Sequence, residues 1–435
     1  MKKITYLLLL FVFLQTNSYA QTNLKKNLLQ QVSLDSLQTH VNVLAEAGGY
    51  YSRINYTPGN QWAAQYLASY FKSLPGIDSV AIDSFKIYSA SAPYNDQAVV
   101  NIAAFKFGTQ FPEEIVICGG HYDASGSHEN DWKSNWQNIK AQGADDNATG
   151  TAAVMELARI ISDPQNKIET ARTIKFMAFG AEEYHPVNPN VHHAGSLWDA
   201  DQAKKHNLNL YGALILDMIG YNPNTNYCEV ISDYGSLWMT DAIYRNHDQF
   251  VSTLKLNSTP VDVPYSDHQS YQDYGYSAIL LMENDRPWND DYPNYTANPY
   301  YHSTKDQPQT VNFEQVKLVT QLALTSLLDY AGVDSTTYLP PDAVNLIPQK
   351  INLKTYPNPF NSRIRISFFL DQANYFTVQI VNARGQVVKQ MAENKFFSGG
   401  WHILNWQANR QASGVYFVRL VSGNHVWSRK IVLIK

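Results

Sequence analysis

The sequence predicts an α/β fold, a mostly parallel sheet flanked by helices, followed by a small C-terminal antiparallel β-sandwich. Up to about residue 330, near-continuous apolar runs alternate with segments of helical periodicity, the pattern of strands buried on both faces. Beyond residue 350, short strand-like runs separated by Gly, Asn and Ser follow one another with no helical pattern between them. The charge changes at the same place. From Ile351 onward there are 11 Lys and Arg against 2 Asp and Glu, leaving 22 against 36 in the preceding 350 residues. The formal net charge of −5 over 435 residues argues against a nucleic-acid partner.

The elements follow in chain order. Lys2 and Lys3 precede the apolar run Ile4 to Leu14, and small residues bracket a cleavage point after Ser18-Tyr19-Ala20, so residues 1–20 read as a signal peptide. That run is too short to span a bilayer comfortably. No other segment reads as transmembrane, so no membrane anchor is expected. Residues 24–46 place Leu and Val at helical spacing. In TPGNQWAAQYLASYFKSL, Pro58 and Gly59 make a turn and Asn60 is the expected N-cap. Trp62, Tyr66, Leu67 and Phe71 share one face of the helix that follows. AVVNIAAFKFG, EIVICGGHYDA, RTIKFMAFGAEE, YGALILDMIGY, NYCEVIS and SAILLMEND read as strands, ATGTAAVMELARIIS and Phe313 to Tyr330 as helices. Cys118 and Cys228 fall in strand-like runs and read either as a pair or as buried thiols. The expected organisation is a large α/β domain at 21–333, a polar, Pro-containing linker at 334–350 and the sandwich at 351–435.

Polar groups at the strand ends do not fit a simple core. The adjacent Glu182 and Glu183 close an apolar strand, and an unpaired buried carboxylate costs several kcal/mol. VICGGHYDA ends in His121 and Asp123, ALILDM carries Asp217, GADDNATG places Asp145 and Asp146 at a helix entry, and YYHSTKD supplies His302. In open α/β sheets, ligands bind beyond the carboxyl ends of the strands. A metal cluster is the simplest way to satisfy so many imidazoles and carboxylates there, and zinc takes both at about 2.0–2.2 Å.

GGHYDA, GADDNATG, AFGAEE, LILDMIG and YHSTKD, in this order over about residues 40–330, resemble the secreted di-zinc aminopeptidases of the zinc exopeptidase clan, the leucyl-aminopeptidase-like peptidases. The resemblance implies two zinc ions per chain. His121, Asp146 and Asp217 would serve one, and Asp146 would bridge to a second held by Glu183 and His302. Glu182 would be the general base toward a metal-bridging hydroxide, Asp123 would orient His121, and a cis peptide would join Asp146 to Asn147. The implied reaction removes N-terminal residues from peptide substrates. PYSDHQSY, with Asp267 and His268, is similar to the family's segment near the substrate pocket, and reads otherwise as a surface loop. Tyr301 reads either as a donor to the developing oxyanion or as one more aromatic of a Tyr-rich loop. His128, His185, His192, His193, His206 and His247 match no motif and read as ordinary polar residues. The rival readings are a single-zinc glutaminyl-peptide cyclotransferase on the same fold and an inactive surface binding protein.

TYPNPFN, VNARGQVV, WQANRQASGVYFVRL and a basic last strand resemble the type A sorting domain of the type IX secretion route. This implies the type IX machinery as a partner, and export to the cell surface or medium. Trp401 and Trp406 read as core residues of that sandwich rather than as a sugar-binding platform.

Overall fold

Where the sequence alternates apolar runs with helical segments, the chain builds one sheet covered by helices. The computed structural model describes residues 22–333 and 351–435, apart from 91, 260–262, 287, 292, 371–373, 383, 398–399, 410 and 423–424. Residues 1–20, read as a signal peptide, and 334–350, read as a linker, lie outside the described residues. The chain divides into two compact units, Met1–Thr337 and Tyr338–Lys435.

Among the described residues of the first unit, eight strands form one sheet: β1 (Ser79–Lys86), β2 (Ala98–Lys106), β3 (Phe111–His121), β4 (Arg172–Phe179), β5 (Asn209–Leu216), β6 (Tyr227–Ser232), β7 (Lys255–Thr259) and β8 (Ala278–Met282), in the order β1-β2-β4-β3-β5-β8-β6-β7. The central four, β4, β3, β5 and β8, run parallel, while β2 and β6 lie antiparallel to their central neighbours. The strands that end in candidate ligands therefore open on one edge of the sheet. Every residue of β4 is buried, as a strand covered on both faces must be. Its Lys175 is neutralised beneath the sheet by Asp199, which also accepts from the Tyr271 hydroxyl at 2.8 Å.

The helices are α1 (residues 22–29), α2 (Leu34–Glu46), α3 (Pro58–Ser73), the single turn α4 (Trp132–Asn135), α5 (Gly150–Ser162), α6 (Ala194–Lys205), α7 (Leu237–Phe250), the short α8 (His268–Asp273) and α9 (Phe313–Tyr330). The helical spacing over residues 24–46 is divided between two helices. Ser33 breaks the run by capping α2, its side chain accepting from Ser36 N–H. Thr57, not Asn60, caps α3, because Pro58 pre-sets the first helical position; the Asn60 side chain instead donates to the Arg53 carbonyl at 3.0 Å. Strands β1 and β7 are missed by the sequence reading, since both are edge strands with mixed polarity. Cys118 and Cys228 are buried free thiols.

His40 on α2 is buried, with Nδ1 3.2 Å from the Tyr66 hydroxyl and its ring edge-on to Tyr70. Burial lowers its pKa from 6.5 to about 4. The unfolded chain takes up this proton near pH 6.5, so the stability His40 contributes is present above that value and is lost as pH falls toward 4. Relative to His40→Gln, the native protein is expected to lose up to about 3 kcal/mol between those limits. Urea unfolding of both proteins at several pH values measures this, and parallel pH profiles would refute it.

The second unit holds β9 (Ile351–Tyr356), β10 (Arg363–Leu370), β11 (Asn374–Asn382), β12 (Val387–Phe397), β13 (Gly400–Gln407), β14 (Gly414–Ser422) and β15 (His425–Leu433). They form two antiparallel sheets, β13-β10-β9 and β12-β11-β14-β15. Strand β10 alternates Ile364, Ile366, Phe368 and Leu370, facing inward, with Arg363, Arg365, Ser367 and Phe369, facing outward, and the inward four meet Phe376, Val378, Ile380, Val418 and Leu420 of the other sheet. Trp406 belongs to this core, but Trp401 lies on the outer face, 54% exposed beside Phe369, because neighbouring positions of β13 alternate faces.

Candidate metal centre and active site

The site is assembled at the carboxyl ends of β3, β4 and β5 and completed by two loops. His121 is the last residue of β3. Two residues on, Asp123 is fully buried and accepts from the backbone N–H of both Glu182 and Glu183 at 3.1 Å, one on each oxygen, and from Asn55 Nδ2 at 2.7 Å. This explains the adjacent glutamates. β4 ends at Phe179, Ala181 takes a left-handed conformation (φ 57°), and Asp123 holds the following turn so that both carboxylates face the site. Asp123 Oδ1 also lies 3.5 Å from His121 Nδ1.

Asp146 comes from the turn at Ala144–Thr149, and the Asp146–Asn147 peptide is cis. This turn is fastened on every side. Asp306 accepts from Asp145 N–H at 2.9 Å and Asp146 N–H at 3.0 Å. Asn147 Nδ2 donates to the Leu216 carbonyl at 2.9 Å, tying the turn to the end of β5. A Cβ at Gly150 would sit 2.2 Å from that carbonyl, so only glycine permits the approach. Fully buried Arg53 donates to the carbonyls of Tyr122, Gln142 and Gly143, bracing the segments on both sides. Asp145 does not face the metal groups. It accepts from Gly220 N–H at 2.8 Å and Asn298 Nδ2 at 2.9 Å, and is hydrogen-bonded to Glu283. Burial, then Asp306, pushes the Asp145 carboxyl well above the usual range; Glu283 is raised by burial and by Asp145.

Two groups of ligand-type atoms result: His121, Asp146 and Asp217, and Asp146, Glu183 and His302. Within each, the atoms lie within 4.8 Å of one another. His121 Nε2 is 3.3 Å from Asp146 Oδ1 and 3.2 Å from Asp217 Oδ1; His302 Nε2 is 3.3 Å from Asp146 Oδ2 and 2.9 Å from Glu183 Oε2. Asp146 therefore offers one oxygen to each group. The Ser127 hydroxyl lies 3.0 Å from His302 Nδ1, which leaves Nε2 for the site.

The electrostatics describe a site short of positive charge. Burial pushes Glu182 and Glu183 well above the usual carboxylate range. Burial opposes a charge on His302, but Glu183 and Asp146 outweigh it and raise its pKa to about 10. Burial likewise opposes a charge on Asp146, yet His121 and His302 hold it below the usual range. The buried Glu183 Oε1 has no hydrogen-bond partner. Imidazole nitrogen with carboxylate oxygen is a donor set zinc accepts, so the residues present fit a pair of such ions.

Glu182 belongs to neither group. Its Oε1 lies 3.0 Å from His193 Nε2 and its Oε2 3.8 Å from His121 Nε2. Tyr301 lines the cleft and stacks on His302, their ring centroids 3.7 Å apart. Asp267 and His268 are fully buried and do not line the cleft; from their segment, Pro264 and Tyr265 do. Burial, then Glu182, pushes Asp267 up to about 8, and burial lowers His268 to about 3. The sequence reading gave no role to Arg53, His193, Glu283, Asn298 or Asp306. Only Asp306 carried a signal, as the last residue of YHSTKD.

Residues 101–327 match the family described as Peptidase family M28. The chain belongs to that family. It is thus a hydrolase acting on peptide bonds, as the ordered motifs indicated. Residues 354–435 match the Secretion system C-terminal sorting domain, which points to type IX export to the cell surface or beyond. A probable aminopeptidase of Saccharomyces cerevisiae is 24% identical over 305 residues, covering 68% of this chain and 73% of its own length. Among solved structures, a zinc aminopeptidase from Bacillus subtilis shares the fold with TM-score 0.55 at 16% identity, over 70% of this chain and 96% of that one. A glutaminyl cyclase of an Acidobacteriales bacterium does so with TM-score 0.53 at 16% identity, over 69% and 94%. The fold therefore accommodates both chemistries, and the site must discriminate between them. Among the described residues no helix is long and apolar enough to cross a membrane.

Proposed function

We propose that this M28 peptidase is a two-zinc aminopeptidase that removes apolar or aromatic residues from the N-termini of peptides outside the cell. The observation that carries this reading is the completeness of both ligand groups around one shared carboxylate, Asp146. A single-zinc cyclase needs only one group. An inactive binding protein needs neither a second group nor a free carboxylate at Glu182.

His121, Asp146 and Asp217 would hold one ion and Asp146, Glu183 and His302 the other. When bound, zinc supplies Lewis-acid polarisation of the scissile carbonyl and a water acidified toward neutral pH. Glu182 takes the proton of the attacking water and returns it to the leaving amine. His193, at 3.0 Å, fixes the Glu182 carboxylate by holding Oε1, so that Oε2 is the oxygen that works. Asp123 orients His121 and the two glutamates together. Tyr301 is positioned to donate to the developing oxyanion. Asp267 and His268 support the pocket wall from behind rather than touching substrate. Met218, Tyr265, Met282 and Trp288 line the cleft beside the ligands and would receive the apolar N-terminal side chain.

The test is hydrolysis of aminoacyl p-nitroanilides beside glutaminyl-β-naphthylamide, on protein of measured zinc content. Nitroaniline release, fastest for leucine-like residues, with about two zinc per chain is expected. Cyclisation of the glutaminyl substrate with one zinc would replace this reading.

A further inference from the structure

A second concavity adjoins the cleft and is not used by the site described above. It is a groove of ≈ 400 Å³ whose lining includes Ile87, Tyr88, Val191, His192, Leu197 and Trp198. That volume lies within the range of pockets that hold organic ligands. His192 also lines the cleft, so one side chain forms the wall between the two. Its ring stands edge-on to His193 at 4.3 Å and to Tyr184 at 5.1 Å, both of which face the cleft.

The groove is built in advance. Trp198 stacks on Phe85 at 5.1 Å with the rings nearly parallel. Phe85, Ile87 and Ala194 belong to a small core cluster of their own. Tyr88 and Leu197 leave apolar surface open, 81% and 44% exposed. Its charges are already matched: Lys86 pairs with Asp96, and Asp201 with Lys205 at 2.6 Å. What remains to recognise a ligand is mostly apolar and aromatic surface, with the uncharged Ser89 and Asn190 and the dividing His192 beside it.

The chemistry of the cleft gives the direction in which a peptide crosses this wall. Glu182 must reach the leaving amine, so the chain beyond the scissile bond departs on the Glu182 side. Glu182 is held by His193, and His193 abuts His192, behind which the groove opens. Tyr265 and Trp288 line the cleft but not the groove.

We propose that this groove is the downstream subsite of the enzyme, taking an uncharged apolar or aromatic side chain from the second residue after the scissile bond. The inference rests on the aminopeptidase reading and adds to it a preference for peptides over single-residue derivatives.

The test uses the full zinc-loaded chain and three tripeptide amides, Leu-Ala-Phe, Leu-Ala-Gly and Leu-Ala-Asp. The readout is the ratio of kcat/KM between them, so any general change in activity cancels. The native protein is expected to favour Phe over Gly by at least about tenfold and to disfavour Asp. Leu197→Asp and Tyr88→Ser, both at exposed positions, should each bring the Phe-to-Gly ratio toward one. A native ratio near one, or a ratio unchanged in both variants, overturns the proposal. A ratio unchanged with an altered elution volume in size-exclusion chromatography would instead make the groove a contact between copies. Leucine p-nitroanilide, which ends at the leaving group, separates the two levels. If the native protein releases no nitroaniline, the aminopeptidase reading fails and takes the subsite with it; if it does and the ratio is flat, only the subsite fails.

Discussion

Glu182→Gln is expected to lower kcat for N-terminal hydrolysis by roughly 10²–10⁴-fold while leaving zinc content and folding intact. Glutamine keeps the size and shape of the side chain, and its carbonyl can still face His193 Nε2, now 3.0 Å from Glu182 Oε1. What it loses is the ability to accept a proton. The ligand groups are complete without residue 182, so metal analysis should return the native value. Stability should not fall, because burial already works against a charge at this position. KM should change little, since the amide still fills the same space. Substantial residual turnover at full zinc content would remove Glu182 from the chemistry. Loss of zinc would mean that it is a ligand instead.

Asp146→Asn should be more damaging, because one side chain serves both groups. Its two oxygens lie 3.3 Å from His121 Nε2 and 3.3 Å from His302 Nε2. An amide is neutral and presents one oxygen and one NH₂, so both groups lose the shared negative charge and at least one loses a ligand atom as well. The expected result is loss of zinc from both positions and of at least about three orders of magnitude in kcat/KM. Asp217→Asn and Glu183→Gln touch one group each and should each release a single ion. Thermal unfolding gives a readout independent of turnover. A ligand that binds only the folded state adds about 4 kcal/mol at a thousandfold excess over its Kd. Chelation should therefore lower the Tm of the native protein and leave that of Asp146→Asn almost unmoved. Two zinc per chain in Asp146→Asn would refute the bridging role.

These experiments probe residues legible in the sequence, and the reason is local. His121 ends β3, Asp217 follows directly on β5, and Asp123, Glu182 and Glu183 lie within four residues of a strand end, so the apolar runs announce them and their place along one side of the sheet follows from the strands being parallel. The core of β4, the helix α9 and the alternation of β10 were readable for the same reason, because burial imposes a period on the residues themselves.

Legible in the residues alone are the candidate chemical groups and their order: five candidate ligands, a candidate base beside one of them, and two stretches of opposite net charge. How they are held depends on the folded path of the chain. Asp306 reaches back 160 residues to the amide of Asp146, Asn298 reaches Asp145 across 153, and Arg53 clasps Gly143 across 90. No periodicity links such positions, because each is a single polar residue in a loop whose partner is chosen by the path of the chain. His193 reads as an ordinary histidine for that reason; in the fold its backbone N–H donates to the Glu182 carbonyl at 2.7 Å and its Nε2 lies 3.0 Å from Glu182 Oε1. Asp267 and His268, whose motif pointed to the pocket, are fully buried at the start of α8 and do not line the cleft. The physical distinction is between burial, which is written into a sequence as a repeating pattern, and long-range hydrogen bonding, which satisfies whatever polar group the finished fold brings near.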